Sequence, residues 1–500
     1  MGTTTFFGSG IVKLDGRLKR PMFRQIYDSI RDAILDGRLS KNFALPSSRD
    51  LAAELGVSRM TVVSAYDQLT AEGYLTSAVG RGTFVSDELP EEHQLVRFQK
   101  RKKSAIESTH PTGPYLSSVG RRYLQERDSL PNFMAGTLKP FRLGVPALDQ
   151  FPIDAWNQLN RKRWKQFSAG DLSYGHPAGY EPLRKSIAEY VQAFRGVKCD
   201  HHQVMVLSGT QQAIDVTAKL TLGPGDPVLF ENPGYRTARA AIRAMGAEIV
   251  PMPIDENGAM IGEGIRRSPK ARMVYVTPSH QFPMGVTLSI ERRMELIEWA
   301  SRQNAIIIED DYDSEYRYAQ RPIPSLQGLD SSQRTVYIGS FSKVVFPALS
   351  IGYAVVPPGL ANAFETALAI VGRPPSILDQ VILNDFIKEG HFGRHLRRMR
   401  KVHQQRRTTL VDSIESKLGD KLRIVGSDAG LHCTARLLSN QRASLVADRI
   451  REAGVTIRDI SEYECVMTHP EERTNGLVFG FACATPGQIQ SAVRTIIDCF

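Results

Sequence analysis

The stretch that decides the fold of this 500-residue chain is Thr335-Val-Tyr-Ile-Gly-Ser-Phe-Ser-Lys343. Its first half is an apolar, β-branched run, which is typical of a strand buried on both faces. Two serines, Ser340 and Ser342, then lead into a lysine just beyond the predicted strand. A lysine amine in such a place forms a Schiff base with an aldehyde when desolvation or cationic neighbours lower its pKa. Lys343 is therefore the candidate nucleophile of the chain.

A second apolar run, upstream of the first, ends in carboxylates. Ala305-Ile-Ile-Ile308 is followed by Glu309-Asp310-Asp311-Tyr312. An aspartate at the carboxyl end of a strand that faces the same crevice as the lysine can pair with a protonated pyridine nitrogen. Asp310 is the predicted partner, and Asp311 takes its place if the strand register differs by one residue.

A third apolar run leads into a turn of small residues. Val204-Met-Val-Leu207 is followed by Ser208-Gly209-Thr210-Gln-Gln-Ala. A small-residue turn that opens a helix presents free backbone amides to a phosphate. A lysine that captures an aldehyde, a partner for a pyridinium and a phosphate cradle are the three needs of pyridoxal 5′-phosphate. The sequence therefore predicts this cofactor.

These runs belong to a longer series that alternates with amphipathic helical patterns from Phe141 onward. The predicted strands are Val204–Leu207, Pro227–Phe230, Met273–Val276, Ala305–Ile308, Thr335–Ile338 and Ile351–Val356. Nearly continuous apolar strands separated by helices favour an α/β fold, with a mainly parallel sheet covered by helices on both faces.

The N-terminal part of the chain shows a different pattern. Ser47 with Asp50 three residues later is a capping-box arrangement, and Gly56 is placed to end the helix that begins there. Ser58 then caps a further helix, so that two short helices are joined by a Gly-Val-Ser turn. The segments Tyr74–Thr76 and Thr83–Val85 flank a Gly-rich, basic turn. Together these features predict a winged helix-turn-helix.

Composition narrows the class of protein. The chain is 42% hydrophobic and 23% charged, and no apolar window is long enough for a membrane span. The N-terminus lacks the layout of a secretory signal. The five cysteines are scattered without a CxxC pair, so neither a disulfide framework nor a metal site is expected, and a cytoplasmic location is predicted. The net charge of +10 is compatible with a polyanionic partner.

The same features divide the chain into three segments. Residues 1–86 form the winged helix domain, residues 87–138 a linker rich in charge and proline, and residues 139–500 the α/β domain. Periodicity in the linker is poor, so it is expected to be partly extended and partly helical.

The N-terminal domain resembles the GntR family of DNA-binding regulators. The matching words are Leu-Pro-Ser-Ser-Arg at 45–49, Val-Ser-Arg-Met-Thr-Val at 57–62 and Gly-Arg-Gly-Thr-Phe-Val at 80–85. The resemblance implies that double-stranded DNA is the partner, with Arg49, Arg59 and Thr61 facing the major groove and Arg81 and Gly82 near the minor groove or backbone. Ser58 and Arg59 begin the recognition helix, where free amides and the helix dipole attract phosphate.

The remainder resembles the fold-type I aminotransferases, and the fused arrangement resembles the MocR regulators. The words that carry this are Phe-Arg-Leu-Gly-Val-Pro at 141–146, Tyr-Gly-His-Pro-Ala-Gly-Tyr at 174–180, Glu-Asn-Pro-Gly-Tyr at 231–235 and Thr-Pro-Ser-His-Gln-Phe-Pro at 277–283. Glu-Asp-Asp-Tyr-Asp-Ser-Glu-Tyr at 309–316 and Ser-Phe-Ser-Lys at 340–343 complete the set.

The resemblance implies a role for each matching residue. Lys343 would hold the cofactor as an aldimine, Asp310 would pair with the pyridine nitrogen, Tyr312 would bond the ring 3-oxygen and Tyr235 would stack on the ring. Gly209, Thr210, Ser340 and Ser342 would hold the phosphate. Tyr174 would reach the phosphate of the other subunit of a homodimer. His280 would lie near the ring edge, or would be a structural histidine.

Two departures from the family pattern bear on function. Ser350 stands seven residues after Lys343, where the family has an arginine that clamps the phosphate; Arg236, Arg239 and Lys219 are candidate replacements. Residues 475–482 contain no arginine, although aminotransferases hold the substrate carboxylate with one near the C-terminus. Without such a clamp, turnover of an amino acid loses an orienting contact.

The leading hypothesis is a DNA-binding regulator whose aminotransferase-like domain senses pyridoxal 5′-phosphate or an amino compound through Lys343. The first alternative is an active aminotransferase with a tethered DNA-binding module. The second is a regulator whose pocket no longer holds the cofactor, a hypothesis motivated by Ser350.

Overall fold

The computed structural model describes residues 8–12, 14–15, 20–78, 82–87, 89, 116–127, 139–318, 323–372, 374–426, 428–465 and 474–500. The chain divides into two compact units, residues 1–114 and 115–500, and each is described by itself. In the described part of the chain, no helix is both long enough and apolar enough to cross a membrane.

The first unit consists of short helices and a small antiparallel sheet. Its helices are Gly8–Ile11, Met22–Leu35, Ser48–Leu55 and Arg59–Ala71. Its strands are β1 (Ala44–Leu45), β2 (Leu75–Ala78) and β3 (Gly82–Val85), in the order β1-β3-β2.

The two central helices begin at the residues predicted from the sequence, and the first of them ends at the predicted glycine. The Ser47 hydroxyl accepts a hydrogen bond from the Asp50 backbone N–H over 3.2 Å, and Gly56 ends the helix with φ 65°. Ser58 accepts one from the N–H of Thr61, also over 3.2 Å. Side chains that face inward from the second helix, such as Val62 and Leu69, are fully buried. The predicted winged helix-turn-helix is confirmed.

In the second unit, eight of the described strands form one sheet. They are β4 (Val204–Leu207), β5 (Pro227–Asn232), β6 (Glu248–Asp255), β7 (Gly258–Ala259), β8 (Met273–Val276), β9 (Ile306–Asp311), β10 (Thr335–Ser340) and β11 (Gly352–Val355). Their order is β4-β11-β10-β9-β8-β5-β6-β7. Pairing is parallel from β10 through β9, β8 and β5 to β6, whereas β11 runs antiparallel to both of its neighbours.

Helices cover both faces of this sheet. The described helices of the unit are Ser118–Gln125, Ile153–Trp164, Glu181–Arg195, Thr210–Thr221, Arg236–Ala244, Ile261–Arg267, Ile290–Gln303, Leu326–Leu329, Pro358–Val371, Ile377–Lys388, His391–Leu418, Ala443–Glu452 and Pro486–Ile496. Alternate residues of β4 enter different cores. Val206 packs in the core that holds Ile187, whereas Met205 packs in the core that holds Ile214. The α/β architecture predicted from the apolar runs is confirmed.

Two strands of the sheet, β6 and the two-residue β7, are absent from the sequence prediction. β6 contains Pro251 and Pro253, and proline is ordinarily excluded from central strands because it cannot donate a ladder hydrogen bond. The strand tolerates both because it lies toward the edge of the sheet, where its other neighbour, β7, is only two residues long.

A second, smaller sheet is formed by the C-terminal part of the unit. Its strands are β12 (Leu422–Val425), β13 (His432–Leu437), β14 (Arg458–Asp459) and β15 (Gly476–Gly480), in the antiparallel order β12-β13-β15-β14. This sheet brings its own side chains to the edge of the large sheet, where the candidate site lies.

The described part of the predicted linker contains a docked helix. Ser117 caps the helix Ser118–Gln125 by accepting a hydrogen bond from the N–H of Gly120. Arg122 donates to the carbonyl oxygen of Ala244 over 2.9 Å, and Glu126 pairs with Arg243 over 3.1 Å. Part of the segment predicted as a linker is therefore packed on the helix Arg236–Ala244.

Candidate cofactor site and DNA-binding surface

A cavity of about 750 Å³ opens where the strands β4, β9 and β10 end. Residues from distant parts of the sequence meet on its walls. Of the residues predicted to bind the cofactor, those that line it are Gly209, Thr210, Tyr235, Asp310, Tyr312, Ser340, Ser342 and Lys343. They meet because the carboxyl ends of parallel strands lie at the same edge of a sheet.

The Lys343 amine is held at the cavity wall opposite a glycine. Its Nζ donates a hydrogen bond to the carbonyl oxygen of Gly144 over 2.8 Å. A Cβ at Gly144, whose φ is +71°, would lie 2.8 Å from that Nζ. Burial lowers the pKa of Lys343, although the nearby carboxylates of Asp313 and Asp310 oppose the shift. The lowered pKa favours the neutral, nucleophilic amine.

Asp310 has one oxygen that is paired and one that is not. Its Oδ2 accepts a hydrogen bond from the Tyr275 hydroxyl over 2.7 Å. Its Oδ1 is buried and has no hydrogen-bond partner among the described residues. Burial raises the pKa of Asp310 to about 7. A buried acceptor without a donor is costly, so this oxygen fits a ligand that brings its own N–H, as a pyridinium does.

Asp311 lies on the opposite face of β9, where its partners belong to the protein. Its Oδ2 accepts hydrogen bonds from Arg195 Nε over 2.7 Å and from the Tyr337 hydroxyl over 2.6 Å. Although burial opposes it, Arg195 keeps the pKa of Asp311 below its usual value. Asp311 Oδ1, like Asp310 Oδ1, has no hydrogen-bond partner among the described residues. Asp310 lines the cavity and Asp311 does not, so the strand register turns Asp310 toward the cavity.

The turn after β4 presents backbone amides at another wall of the cavity. Gly209, with φ 144°, precedes the helix Thr210–Thr221, whose first amides have no partner within the helix. The Ser342 N–H donates to the Ser340 hydroxyl over 3.1 Å. A Cβ at Gly352 would lie 2.9 Å from the Gly209 Cα, so β11 approaches this turn closely only because residue 352 is glycine. Amides and hydroxyls together suit a phosphate.

Ser350, the residue that replaces the expected arginine, does not line the cavity. Of the three candidate replacements, only Arg236 does. Arg239 instead donates to the Tyr463 carbonyl oxygen over 2.9 Å. Lys219 pairs with Asp215 over 2.6 Å on the helix Thr210–Thr221. Arg236 is therefore the remaining candidate for a compensating cation.

The cavity also contains arginines that the sequence analysis did not single out. β15 carries no arginine, but Arg458 on the neighbouring β14 lines the cavity, as does Arg142. Glu462 accepts from Arg458 over 2.8 Å and from Arg236 over 3.1 Å. No sequence signal marked Arg458, because β14 is only two residues long and its position beside β15 depends on the fold of the small sheet.

Aromatic and histidine side chains complete the site. The Phe282 ring lies 5.8 Å from the ring of Tyr235 and 6.0 Å from that of Tyr312. His280 does not line the cavity, but its Nδ1 lies 3.1 Å from the Tyr312 hydroxyl. Tyr174, predicted to act on the other subunit, is 85% exposed and lies outside the lining of this chain's own cavity.

The residues predicted to contact DNA lie at the surface of the first unit. Arg49, Ser58, Arg59 and Gly82 are exposed, and Thr61 is half-buried. Arg59 Nε donates to the Ser48 hydroxyl over 3.4 Å, so the N-termini of the two helices of the helix-turn-helix lie side by side. Arg81 lies outside the described residues. Exposed arginines at two adjacent helix N-termini suit a phosphate backbone and the base edges beside it.

Each of the two units matches a known protein family. Residues 23–85 match the family described as bacterial regulatory proteins, gntR family, and residues 140–496 match aminotransferase class I and II. The aminotransferase family depends on pyridoxal 5′-phosphate. The chain belongs to the MocR-type transcriptional regulators, in which a GntR winged helix is joined to an aminotransferase-like domain.

Two relatives illustrate this membership. The chain is 38% identical to the probable rhizopine catabolism regulatory protein MocR of Rhizobium meliloti, over 97% of this chain and 95% of the relative. It is 32% identical to the pyridoxine biosynthesis transcriptional regulator PdxR of Corynebacterium glutamicum, over 95% of each chain.

Solved structures resemble the second unit. The kynurenine aminotransferase of Pyrococcus horikoshii superimposes with a TM-score of 0.67 at 23% identity, covering 79% of this chain and 98% of its own. LysN of Thermus thermophilus, an α-aminoadipate aminotransferase solved with N-(5′-phosphopyridoxyl)-L-leucine, gives 0.65 at 26% identity and covers 77% and 94%. The predicted aminotransferase fold is confirmed.

Proposed function

We propose that this protein regulates transcription by binding double-stranded DNA through its winged helix and pyridoxal 5′-phosphate through the cavity at Lys343. The occupancy of that cavity, by the cofactor or by an amino compound that reacts with it, sets the affinity for DNA. The observation that carries the proposal is the meeting of Lys343, Asp310 and the turn at 208–210 in one cavity. DNA binding by the winged helix does not itself require these groups, so their meeting in one cavity indicates a second binding function.

Each group on the cavity wall has a distinct task. Asp310 Oδ1 would accept the hydrogen of the pyridinium nitrogen, and Tyr235 would hold the cofactor ring. Gly209, Thr210, Ser340 and Ser342 would hold the phosphate. When bound, the cofactor supplies an aldehyde that primary amines capture reversibly. Lys343 provides the amine of the protein, and burial, which lowers the pKa of this amine, favours its neutral, reactive form.

The charge of the cavity walls indicates the class of effector. Arg142, Arg236 and Arg458 line the cavity together with Asp310 and Asp313, and Glu462 pairs with two of these arginines, Arg236 and Arg458. An amine that also carries a carboxylate would displace Lys343 from the aldehyde and pair with a guanidinium. The effector is thus an amino acid or a related amino compound, or the cofactor itself, which brings a phosphate to the same walls.

The helix Arg236–Ala244 offers a route from the cavity to the DNA-binding unit. Its first residue, Arg236, lines the cavity, and its last, Ala244, accepts a hydrogen bond from Arg122 in the segment that leads back to the winged helix. A ligand that shifts this helix would also shift the Ser118–Gln125 helix, which is packed on it. For the shift to act as a switch, the effector must bind one arrangement more tightly than the other.

The proposal includes a homodimer, in which Tyr174 of one subunit reaches the phosphate held by the other. The high exposure of Tyr174 in the single chain supports this arrangement. Analytical ultracentrifugation of the full chain tests the dimer. Replacing Tyr174 by phenylalanine should weaken cofactor binding without dissociating the dimer, and a monomer at micromolar concentration would contradict the arrangement.

One titration tests the regulator as a whole. The full chain is equilibrated with pyridoxal 5′-phosphate and then with a panel of amino acids and amines, while visible absorbance and affinity for its own promoter fragment are read together. After borohydride reduction, mass spectrometry should find a phosphopyridoxyl group on Lys343, and Lys343→Ala should lack it. Promoter affinity that is the same under every condition would overturn the sensor, and absence of the modification would favour a regulator with an empty pocket.

A second candidate is an aminotransferase with a tethered DNA-binding module. It is favoured by Arg142 and Arg458, which supply the guanidinium groups that residues 475–482 lack. This candidate requires ping-pong transfer of an amino group from a donor to a keto acid, abolished in Lys343→Ala. Steady-state assays with paired amino and keto acids distinguish it from the sensor, which needs binding but no turnover.

A further inference from the structure

Three polar side chains meet through a single nitrogen atom behind the cavity wall. Nδ1 of His280 lies 3.1 Å from the Tyr312 hydroxyl oxygen. The same Nδ1 lies 3.1 and 3.2 Å from the two carboxylate oxygens of Asp313. Tyr312 and Asp313 both line the cavity, whereas His280 is buried behind them.

The position of one hydrogen atom decides what the Tyr312 hydroxyl can do. A neutral imidazole carries its hydrogen on one ring nitrogen and a lone pair on the other. If Nδ1 carried the lone pair, that lone pair would face the Asp313 carboxylate, which repels it. The carboxylate therefore selects the tautomer with hydrogen on Nδ1, and the Tyr312 oxygen, beside the same N–H, can only accept from it.

The Tyr312 hydroxyl hydrogen is then not donated to His280 and is available to another acceptor. Burial raises the pKa of Tyr312 well above its usual value, so the phenol keeps this hydrogen. We infer that His280 and Asp313 form a positioning pair that turns the Tyr312 hydroxyl into a hydrogen-bond donor toward the cavity, where it meets a negatively charged oxygen of the ligand. The inference rests on the proposed function, in which that oxygen belongs to the ring of pyridoxal 5′-phosphate.

The surroundings of His280 fit a neutral ring in this tautomer. Its Nε2 is buried without a hydrogen-bond partner among the described residues, which is less costly for a lone pair than for a charged N–H. The neighbouring His432 ring, 4.7 Å away, places its Nε2 3.2 Å from the carbonyl oxygen of Pro283, and burial lowers its pKa well below the usual value. No neighbouring carboxylate other than Asp313 contacts His280 in the described part of the chain.

The backbone around the pair is shaped to admit it. The N–H of Leu431 donates to Asp313 Oδ2 over 3.2 Å and fixes the carboxylate. A Cβ at Gly430 would lie 2.1 Å from His280 Cε1 and 2.4 Å from Asp313 Oδ2. Only a glycine at position 430 lets both side chains occupy their places.

The test compares two replacements of His280, a residue that does not itself line the cavity. In His280→Asn the amide N–H stands near the place of Nδ1–H, so it can still donate to Asp313 and to the Tyr312 oxygen. In His280→Leu no donor remains. The dissociation constant for pyridoxal 5′-phosphate should rise about three- to tenfold in His280→Leu and stay near the wild-type value in His280→Asn, because a hydrogen bond to a charged oxygen is partly lost.

A second measurement separates positioning from packing. The visible absorbance of the cofactor bound to Lys343 is titrated with pH, and its midpoint should move upward in His280→Leu, because a less stabilised oxygen holds a proton to higher pH. In a Tyr312→Phe background, His280→Leu should have no further effect on either quantity. Equal effects in both backgrounds, or equal behaviour of the asparagine and leucine variants, would overturn the inference.

The control for folding is the melting temperature of each variant without cofactor. If His280→Leu does not fold, His280→Ala removes the same donor without adding bulk, and its effect on cofactor binding should likewise vanish in the Tyr312→Phe background. If wild-type protein itself retains no cofactor on Lys343, the proposed function fails. If wild-type protein retains it and His280→Leu matches the wild type, only the positioning pair is disproved.

Discussion

The Ser350 hydroxyl donates a hydrogen bond to the carbonyl oxygen of Ser208 over 2.8 Å and so joins the segment just before β11 to the residue that precedes Gly209. Ser350 itself adopts the left-handed conformation, with φ 51°. The residue that stands where the family has an arginine therefore supports the shape of the turn that we propose binds the phosphate, without adding charge to it. A site with less positive charge holds its anionic ligand less tightly, which suits a sensor that must release it.

Restoring the cation at this position should tighten cofactor binding. In Ser350→Arg the dissociation constant for pyridoxal 5′-phosphate should fall about ten- to a hundredfold, as expected for a charged, bidentate contact. Equilibrium dialysis against the cofactor measures it. Ser350→Gln, which adds length without charge, is the matched control. Equal affinity of the arginine and glutamine variants would show that position 350 does not face the phosphate.

Asp310 should make the cofactor-free protein less stable as pH rises. Its pKa of about 7 in the folded protein lies above the usual value of 3.8, so the folded protein keeps a proton that the unfolded chain releases between these pH values. Stability is therefore lost between about pH 4 and pH 7, and the penalty is complete above that range.

Replacing Asp310 by asparagine removes this penalty. At pH 8 the cofactor-free Asp310→Asn variant should exceed the wild type in free energy of unfolding, by an amount on the order of a few kcal/mol, and near pH 4 the two should agree. Urea unfolding at the two pH values tests this. The same variant should bind the cofactor more weakly, because the amide cannot match a carboxylate opposite a pyridinium. A variant that is less stable at pH 8 would contradict the burial of a charged carboxylate.

Arg59 should contribute to DNA binding through a phosphate or a base edge. Arg59→Ala is expected to weaken promoter affinity by about 1–3 kcal/mol if it reads a base, with relaxed specificity at one position. If it contacts a phosphate, the loss is uniform across sequences and the salt dependence falls by about one unit of slope. Fluorescence anisotropy at several salt concentrations separates these outcomes. Arg38→Ala, which removes an exposed arginine paired with Asp36, is the control and should change neither quantity.

The ion pair of Glu126 and Arg243 should carry the signal from the cavity to the DNA-binding unit. Glu126→Arg places two like charges about 3 Å apart where the pair now lies, and should uncouple promoter affinity from cofactor concentration while leaving the dissociation constant for the cofactor unchanged. The swap Glu126→Arg with Arg243→Glu should restore the coupling. If the single variant responds to cofactor as the wild type does, the docked helix is not part of the switch.

Much of the fold was predictable because its signals are local. Ser47, Gly56 and Ser58 act on helices through bonds to residues within a few positions, so their roles are visible in the sequence alone. The buried strands could likewise be predicted from local runs of β-branched residues. β6 was not predicted because Pro251 and Pro253 normally indicate the end of a strand. The sheet accommodates them because β6 lies beside the short β7, toward the edge.

The candidate site contains some features that the sequence predicts and others that appear only in the tertiary structure. The types of residue that cofactor chemistry needs, and their order along the chain, follow from Gly209, Asp310 and Lys343 as they stand in the sequence. The sequence favoured Asp310 and left Asp311 open, and the tertiary structure shows that Asp310 is the one that lines the cavity. The place of Arg458 on the cavity wall and the contact of His280 with Tyr312 were visible only in the tertiary structure. Strand register, the docking of the small sheet and the direction of buried side chains depend on contacts between residues far apart in the chain, and no local pattern encodes them.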